Sequence, residues 1–107
     1  MTMQQKASKR QLMVAESVRR GVSHAITHDV ILPHMKGVYI SKATISPDLK
    51  MATVFVVCPY LNHIAAQMIC SNLNAYSGKI GHFVAKHTLL RFTPKLHFVT
   101  EEAPLDI

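Results

Sequence analysis

The 107-residue chain is long enough for one domain with a modest core, 49% of it is apolar, and no run approaches the span of a membrane helix. Twelve Lys and Arg face six Asp and Glu, but only three of those acids precede Glu101, so the body up to Thr100 carries +9. Such an excess excludes little by itself, yet it attracts polyanions, nucleic acid before an anionic membrane surface.

The first eleven residues are polar and basic and read as part of the mature chain, with a short flexible end over residues 1–7. A first helix is predicted from Ser8, its N-cap, to His28, with Leu12, Ala15, Val18, Val22, Ala25 and Ile26 lining one apolar face. Lys9 and Arg20 fall opposite that face, and Arg10 and Arg19 flank it. "DVILPHMKG" breaks the pattern at Pro33 and closes at Gly37. Two β-rich runs, Val38–Ser46 and Met51–Cys58, joined by the turn "SPDLK", predict an antiparallel hairpin with Ala52, Val54 and Val56 facing the core.

Pro59 ends the second strand and Asn62 caps the next helix. Ala66, Ile69, Leu73, Tyr76, Ile80, Phe83, Val84 and His87 then hold one helical register, which runs straight through Gly78 and Gly81. Unbroken phase across two glycines predicts two helical arms meeting at a kink near Ser77 and Gly78. Pro94 leads into a third strand, Lys95–Thr100, followed by a flexible tail over residues 101–107. A strand–helix–strand crossover is parallel and right-handed, so the fold class is α+β, a three-stranded mixed sheet with all helices on one face. The other sheet face is left open.

Two glycines inside a helix cost roughly 2 kcal/mol against alanine, which calls for a return. Strand, helix, G-x-x-G, helix, strand is the organisation of the KH nucleic-acid module, where missing Cβ atoms let backbone amides at a helix start approach a phosphate. The alternative is that small residues let the bent helix pack closely on a neighbour. On the nucleic-acid reading, Ser77, Gly78, Lys79 and Gly81 are the central RNA contacts, with Lys79 nearest a phosphate and His82 immediately after. Lys86, Arg91 and Lys95 extend the charge, and Lys9, Arg10, Arg19 and Arg20 form a second basic region on the first helix.

Other chemistries lack their residues. Cys58 and Cys70 sit twelve apart without a C-x-x-C pair and read as two small half-buried thiols in a reducing setting. His24, His28, His34 and Asp29 lie close in sequence without forming a zinc motif, and His97 reads as a strand residue, so no metal is expected. No nucleophile elbow or acid–base pair is present, so no catalytic residue and no cofactor are expected.

The chain resembles the ribosome-binding factor A family over nearly its whole length. "VAESVRRGVSHAI" is similar to the family's first helix, "ISPDLKMATVFV" to its hairpin, and "NAYSGKIGHFVAKHTLLRFTPKLHFV" to its kinked helix and last strand. The family's A-x-G kink finds its glycine in Gly78, but the alanine position holds Tyr76, which leaves a family-like kink and a looser G-x-x-G loop both open. The Asp-Pro pair after the family's first helix is also replaced, by "HDVILPH". The resemblance implies a type II KH-like fold and a non-enzymatic assembly factor. Such a factor binds the immature 30S subunit and 16S rRNA, assists late maturation around the 5′ end of that RNA, and matters most in the cold. A monomer in the bacterial cytoplasm is implied, an organelle being the alternative setting, with neither membrane nor small-molecule substrate as partner. The competing class is a protein-interaction module using the open sheet face or the first helix.

Overall fold

The computed structural model describes residues 7–28, 37–91 and 93–101. Of the two ends expected to be flexible, residues 1–7 and 101–107, all but Ala7 and Glu101 lie outside the described residues, as does the connection holding Asp29, Pro33 and His34. The elements run α1 (Lys9–His28), β1 (Tyr39–Ile45), β2 (Met51–Val57), α2 (His63–Ala75), α3 (Ser77–His87) and β3 (Lys95–Thr100), matching the expected order.

Each boundary has a local cause. At the head of α1, the Gln11 amide donates to Ser8 Oγ at 3.1 Å and the Ser8 amide to Gln11 Oε1 at 2.8 Å, a reciprocal capping box. Asn62 caps α2 by accepting from the Ala65 amide at 2.8 Å. In the hairpin, Asp48 Oδ1 accepts from Ser46 Oγ at 2.6 Å and from the Lys50 amide at 3.0 Å, while Ser46 Oγ accepts from the Met51 amide at 3.0 Å. The Ser46 bond, with the Lys50 amide behind it, holds the Asp48 carboxyl below the usual carboxylate range. That staple keeps Leu49 in the left-handed region, φ 63°, a cost a leucine bears only when its surroundings fix it.

The sheet order is β1-β2-β3, with β1 and β2 antiparallel and β2 and β3 parallel. The register slips between Ile40 and Lys42, a β-bulge at Ser41. Ile40, Ala52, Val54, Val56, Leu96 and Phe98 point from one sheet face into the core, where α1 packs over β1 and α2 over β3. Helices contribute Val18, Val22, Leu73, Ile80 and Val84, all fully buried and each worth about 2 kcal/mol of transfer free energy. Asn74 of α2 makes a pair of hydrogen bonds to one residue of β3: its Nδ2 donates to the Phe98 carbonyl at 3.0 Å and its Oδ1 accepts from the Phe98 amide at 2.8 Å.

Three expectations are corrected. Leu12 is exposed rather than on the core face, and Val14 packs against the core in its place. Tyr76 leaves the buried register at the helix junction and His87 lies on the surface, stacked on Phe83 at 4.0 Å. Cys70 is buried rather than half-buried. Burial, with Cys58 second, pushes its thiol up to about 11, and burial also raises Cys58. Both thiols are therefore protonated at neutral pH and unsuited to nucleophilic chemistry.

Candidate nucleic-acid interface

The junction between α2 and α3 is one residue, Tyr76, at φ −98° and ψ 10°. Its amide bonds back to the Asn72 and Leu73 carbonyls at 3.1 Å, and its own carbonyl accepts from the Ile80 amide at 2.9 Å. The chain thus turns without a loop. Gly78 and Gly81 lie inside α3, and neither has positive φ. Of the two geometries left open by the sequence, the kink is the one present, one residue before the place expected.

Neither glycine is needed by the packing. A Cβ built on Gly78 meets nothing within 4 Å, and one on Gly81 meets only Thr93 Cγ2, at an ordinary 3.6 Å. The close-packing explanation therefore fails for this pair. The glycine that does permit close packing is Gly21 of α1, whose Cβ would fall 3.0 Å from Val84 Cγ1 and 3.2 Å from Thr88 Cγ2. Sequence reading passed over Gly21, although a glycine inside an otherwise regular apolar helix face is the available signal.

Ser77, Gly78, Gly81 and Ala85 form a small-residue face on α3, and with Thr93, Pro94 and Lys95 they line an open groove of about 460 Å³. His82 and Leu96 complete its walls. Thr93 Oγ1 is buried there without a hydrogen-bond partner among the described residues. No side chain caps the start of α3, so the positive end of that helix opens at the groove. Lys79 and Lys86 are exposed and seven residues apart, which places them on one flank of α3 about 10 Å from each other.

Four of the expected contacts, Ser77, Gly78, Gly81 and Lys95, thus share one groove, with Lys79 and Lys86 on its flank. His82, Ala85 and Thr93 join them. Arg91 lines a second groove with Arg10, which meets the first at Pro94.

The four cations of α1 do not form one region. Lys9 and Arg10 lie near Leu89 and Leu90. Arg19 lines a separate cleft with Val38, Tyr39 and Ile40. Glu16 accepts from Arg19 Nη2 at 2.6 Å and from Arg20 Nε at 3.1 Å. The Arg19 bond leads in holding the Glu16 carboxyl down at about 2, and Glu16 raises Arg19 in turn. Two of the four cations are therefore partly neutralised at any pH above that value.

Among the described residues no cluster of three or more His, Cys, Asp or Glu is placed to hold a metal, and no helix is long and apolar enough to cross a membrane.

Comparison with known proteins adds an independent line. The family model described as Ribosome-binding factor A matches residues 10–105. A protein of that name from Paracoccus denitrificans is 36% identical over 98 residues, covering 89% of this chain and 70% of its own length. The solution structure of a putative ribosome binding factor A from Thermotoga maritima superposes with a TM-score of 0.72 at 21% identity, covering 97% of each chain. A Thermus thermophilus ribosome binding factor A homology model, fitted into a cryo-electron-microscopy map of a 30S complex, gives 0.66 at 16% identity over 83% of this chain and 92% of that one. At those identities the two structures speak for the fold, which is KH-like.

Proposed function

The chain belongs to the ribosome-binding factor A family, and from that premise we propose that it binds the immature small ribosomal subunit by laying the α3 groove against 16S rRNA. On this reading it acts as a monomer in the bacterial cytoplasm, assists late maturation around the 5′ end of that RNA, and catalyses no reaction. The Thermus thermophilus relative in a 30S complex supports the choice of partner.

One observation carries the reading: Gly78 has open space where its Cβ would be and a helical backbone any residue can adopt. The fold gains nothing from glycine there. A ligand whose phosphates approach the uncapped amides of α3 does gain, because only a bare Cα leaves the path clear. Lys79, Lys86 and Lys95 around it supply charge that favours a polyanion over a neutral partner.

The test is binding of the full chain to immature 30S particles across a salt series. Lys79→Glu is expected to weaken association roughly tenfold and to flatten the dependence of log K on log salt by about one to two. Association that ignores both the substitution and ionic strength would sink the proposal. It would favour protein docking instead, for which Met13, Val14, Leu89 and Leu90 offer an apolar groove of about 560 Å³.

A second expectation concerns α1. Glu16→Gln frees Arg19 and Arg20, so if that helix also faces RNA, affinity rises and the salt slope steepens by about one. An unchanged slope assigns α1 to a surface away from the RNA.

A further inference from the structure

Among the described residues no helix packs on the sheet face opposite α1, α2 and α3, and half-buried Phe55 stands at its centre. In register across it lie Lys42, Phe55 and Val99, and beside them Thr44, Thr53 and His97. Met51 and Lys95 form the next row, and Tyr39 stands half-exposed near the opposite end. Lys42 belongs to this face only because of the bulge. Ile40 points into the core, yet Ser41 and Lys42 both lie on the exposed side, which re-aims the lysine across the sheet. Its Nζ lies over the Phe55 ring, 4.8 Å from the centroid, in a cation–π contact made from an exposed and movable side chain. Among the described residues one carboxylate reaches this face: Glu101, at the rim, hydrogen-bonded by Ser41 Oγ.

We propose that this face is a second RNA-binding surface, on which a base of a single strand replaces the Lys42 ammonium over the Phe55 ring while Lys42 and Lys95 take the neighbouring phosphates. The inference rests on the reading above that the chain binds ribosomal RNA. Three features select a single strand as the occupant. Lys42 and Lys95 against the one engaged carboxylate among the described residues complement a polyanion and disfavour a basic protein. The Phe55 ring at the centre of the face, flanked by the short side chains of Thr44 and Thr53, offers a base a stacking platform once Lys42 swings to a phosphate, which a duplex with its bases inside cannot use. Lys95 also lines the α3 groove, so the two surfaces are continuous at that residue and one strand can run from one to the other. Lys42 and Lys95 lie two rows apart along the strands, about 13 Å, room for more than one nucleotide.

The platform is tested with the full chain and a short uridine-rich single-stranded RNA, together with immature 30S particles. Phe55→Leu keeps an apolar side chain and removes the ring; Lys42→Gln removes the charge from an exposed position and leaves packing alone. Each is expected to weaken oligonucleotide binding, Phe55→Leu by roughly tenfold. In the wild-type protein the amides of Thr53, Phe55 and His97 are expected to shift when the RNA is added. The inference is overturned if the shifts stay on α3 and neither variant loses affinity. It is equally overturned if both variants lose 30S binding while oligonucleotide binding is intact, which would make the occupant a protein. Lys79→Glu separates this claim from the one it rests on. Loss with Lys79→Glu alone removes the sheet surface and keeps the groove; loss with Phe55→Leu and Lys42→Gln alone removes the groove and keeps the sheet.

Discussion

Gly78→Val is expected to fold as well as the wild type and to lose subunit binding by roughly tenfold or more, whereas Val22→Ile is expected to do the reverse. The position of Gly78 on the surface of α3, with no atom within 4 Å of an added Cβ, makes larger residues acceptable to the fold. Alanine there goes further: it should stabilise α3 by about 0.5–1 kcal/mol, or a few degrees in Tm, because glycine is the poorer helix former. Val22 is fully buried, so one more methylene must displace packed neighbours, at a cost of about 1–3 kcal/mol. Thermal denaturation paired with sedimentation on immature particles, and rRNA processing in cells grown in the cold, measure both halves. Normal processing with Gly78→Val would show that the bare backbone in the first turn of α3 has no external partner.

The largest loss of stability is expected from Gly21→Leu. α1 and α3 cross where Gly21 faces Val84 and Thr88, and even a single Cβ would come 3.0 Å from a valine methyl that is itself fully buried. Val84 cannot turn away without opening a void beside Ile80 and Phe83, its companions in the same cluster. A full leucine side chain must push the two helices apart, at about 3 kcal/mol, or roughly 10–20 °C in Tm for a chain this size. Gly21→Ala is the graded control: its gain in helix propensity, about 1 kcal/mol, opposes the crowding. A leucine variant melting with the wild type would mean that the crossing is looser than these distances state.

Much of the architecture was legible because periodicity and punctuation agree along the chain. Ser8 and Asn62 cap the helices they were assigned, and Ala52, Val54 and Val56 alternate into the core. Lys95–Thr100 is the closing strand as read. The failures have physical causes. Leu12 and Val14 differ by two positions, about 200° around a helix, and both are apolar, so composition alone could not say which faces inward near a helix end. Tyr76 fits the helical register by count, but a register cannot reveal that one residue will absorb the change in axis.

The groove was only half visible. Ser77, Gly78 and Gly81 announce themselves by size, and Lys95 by charge. Thr93 and Ala85 join them because β3 enters beside α3, a long-range placement no local pattern encodes. Charge counting likewise could not show that Arg19 and Arg20 share Glu16, although their spacings of three and four residues permit it. The bulge at Ser41 left no mark in a run that reads as ordinary strand.

The amide of Asn74 has a consequence for how copies of this protein meet one another. β3 is the outermost strand on its side of the sheet, and an outermost strand normally offers free donors and acceptors on which a foreign strand can build. Here the middle of that border is already occupied: Phe98 has given both its outward amide and its outward carbonyl to a side chain that imitates a neighbouring strand. On the far border, β1 is broken by its bulge and carries a lysine. Both margins of the sheet thus resist zipping into fibrils, a hazard for any small domain that is 49% apolar.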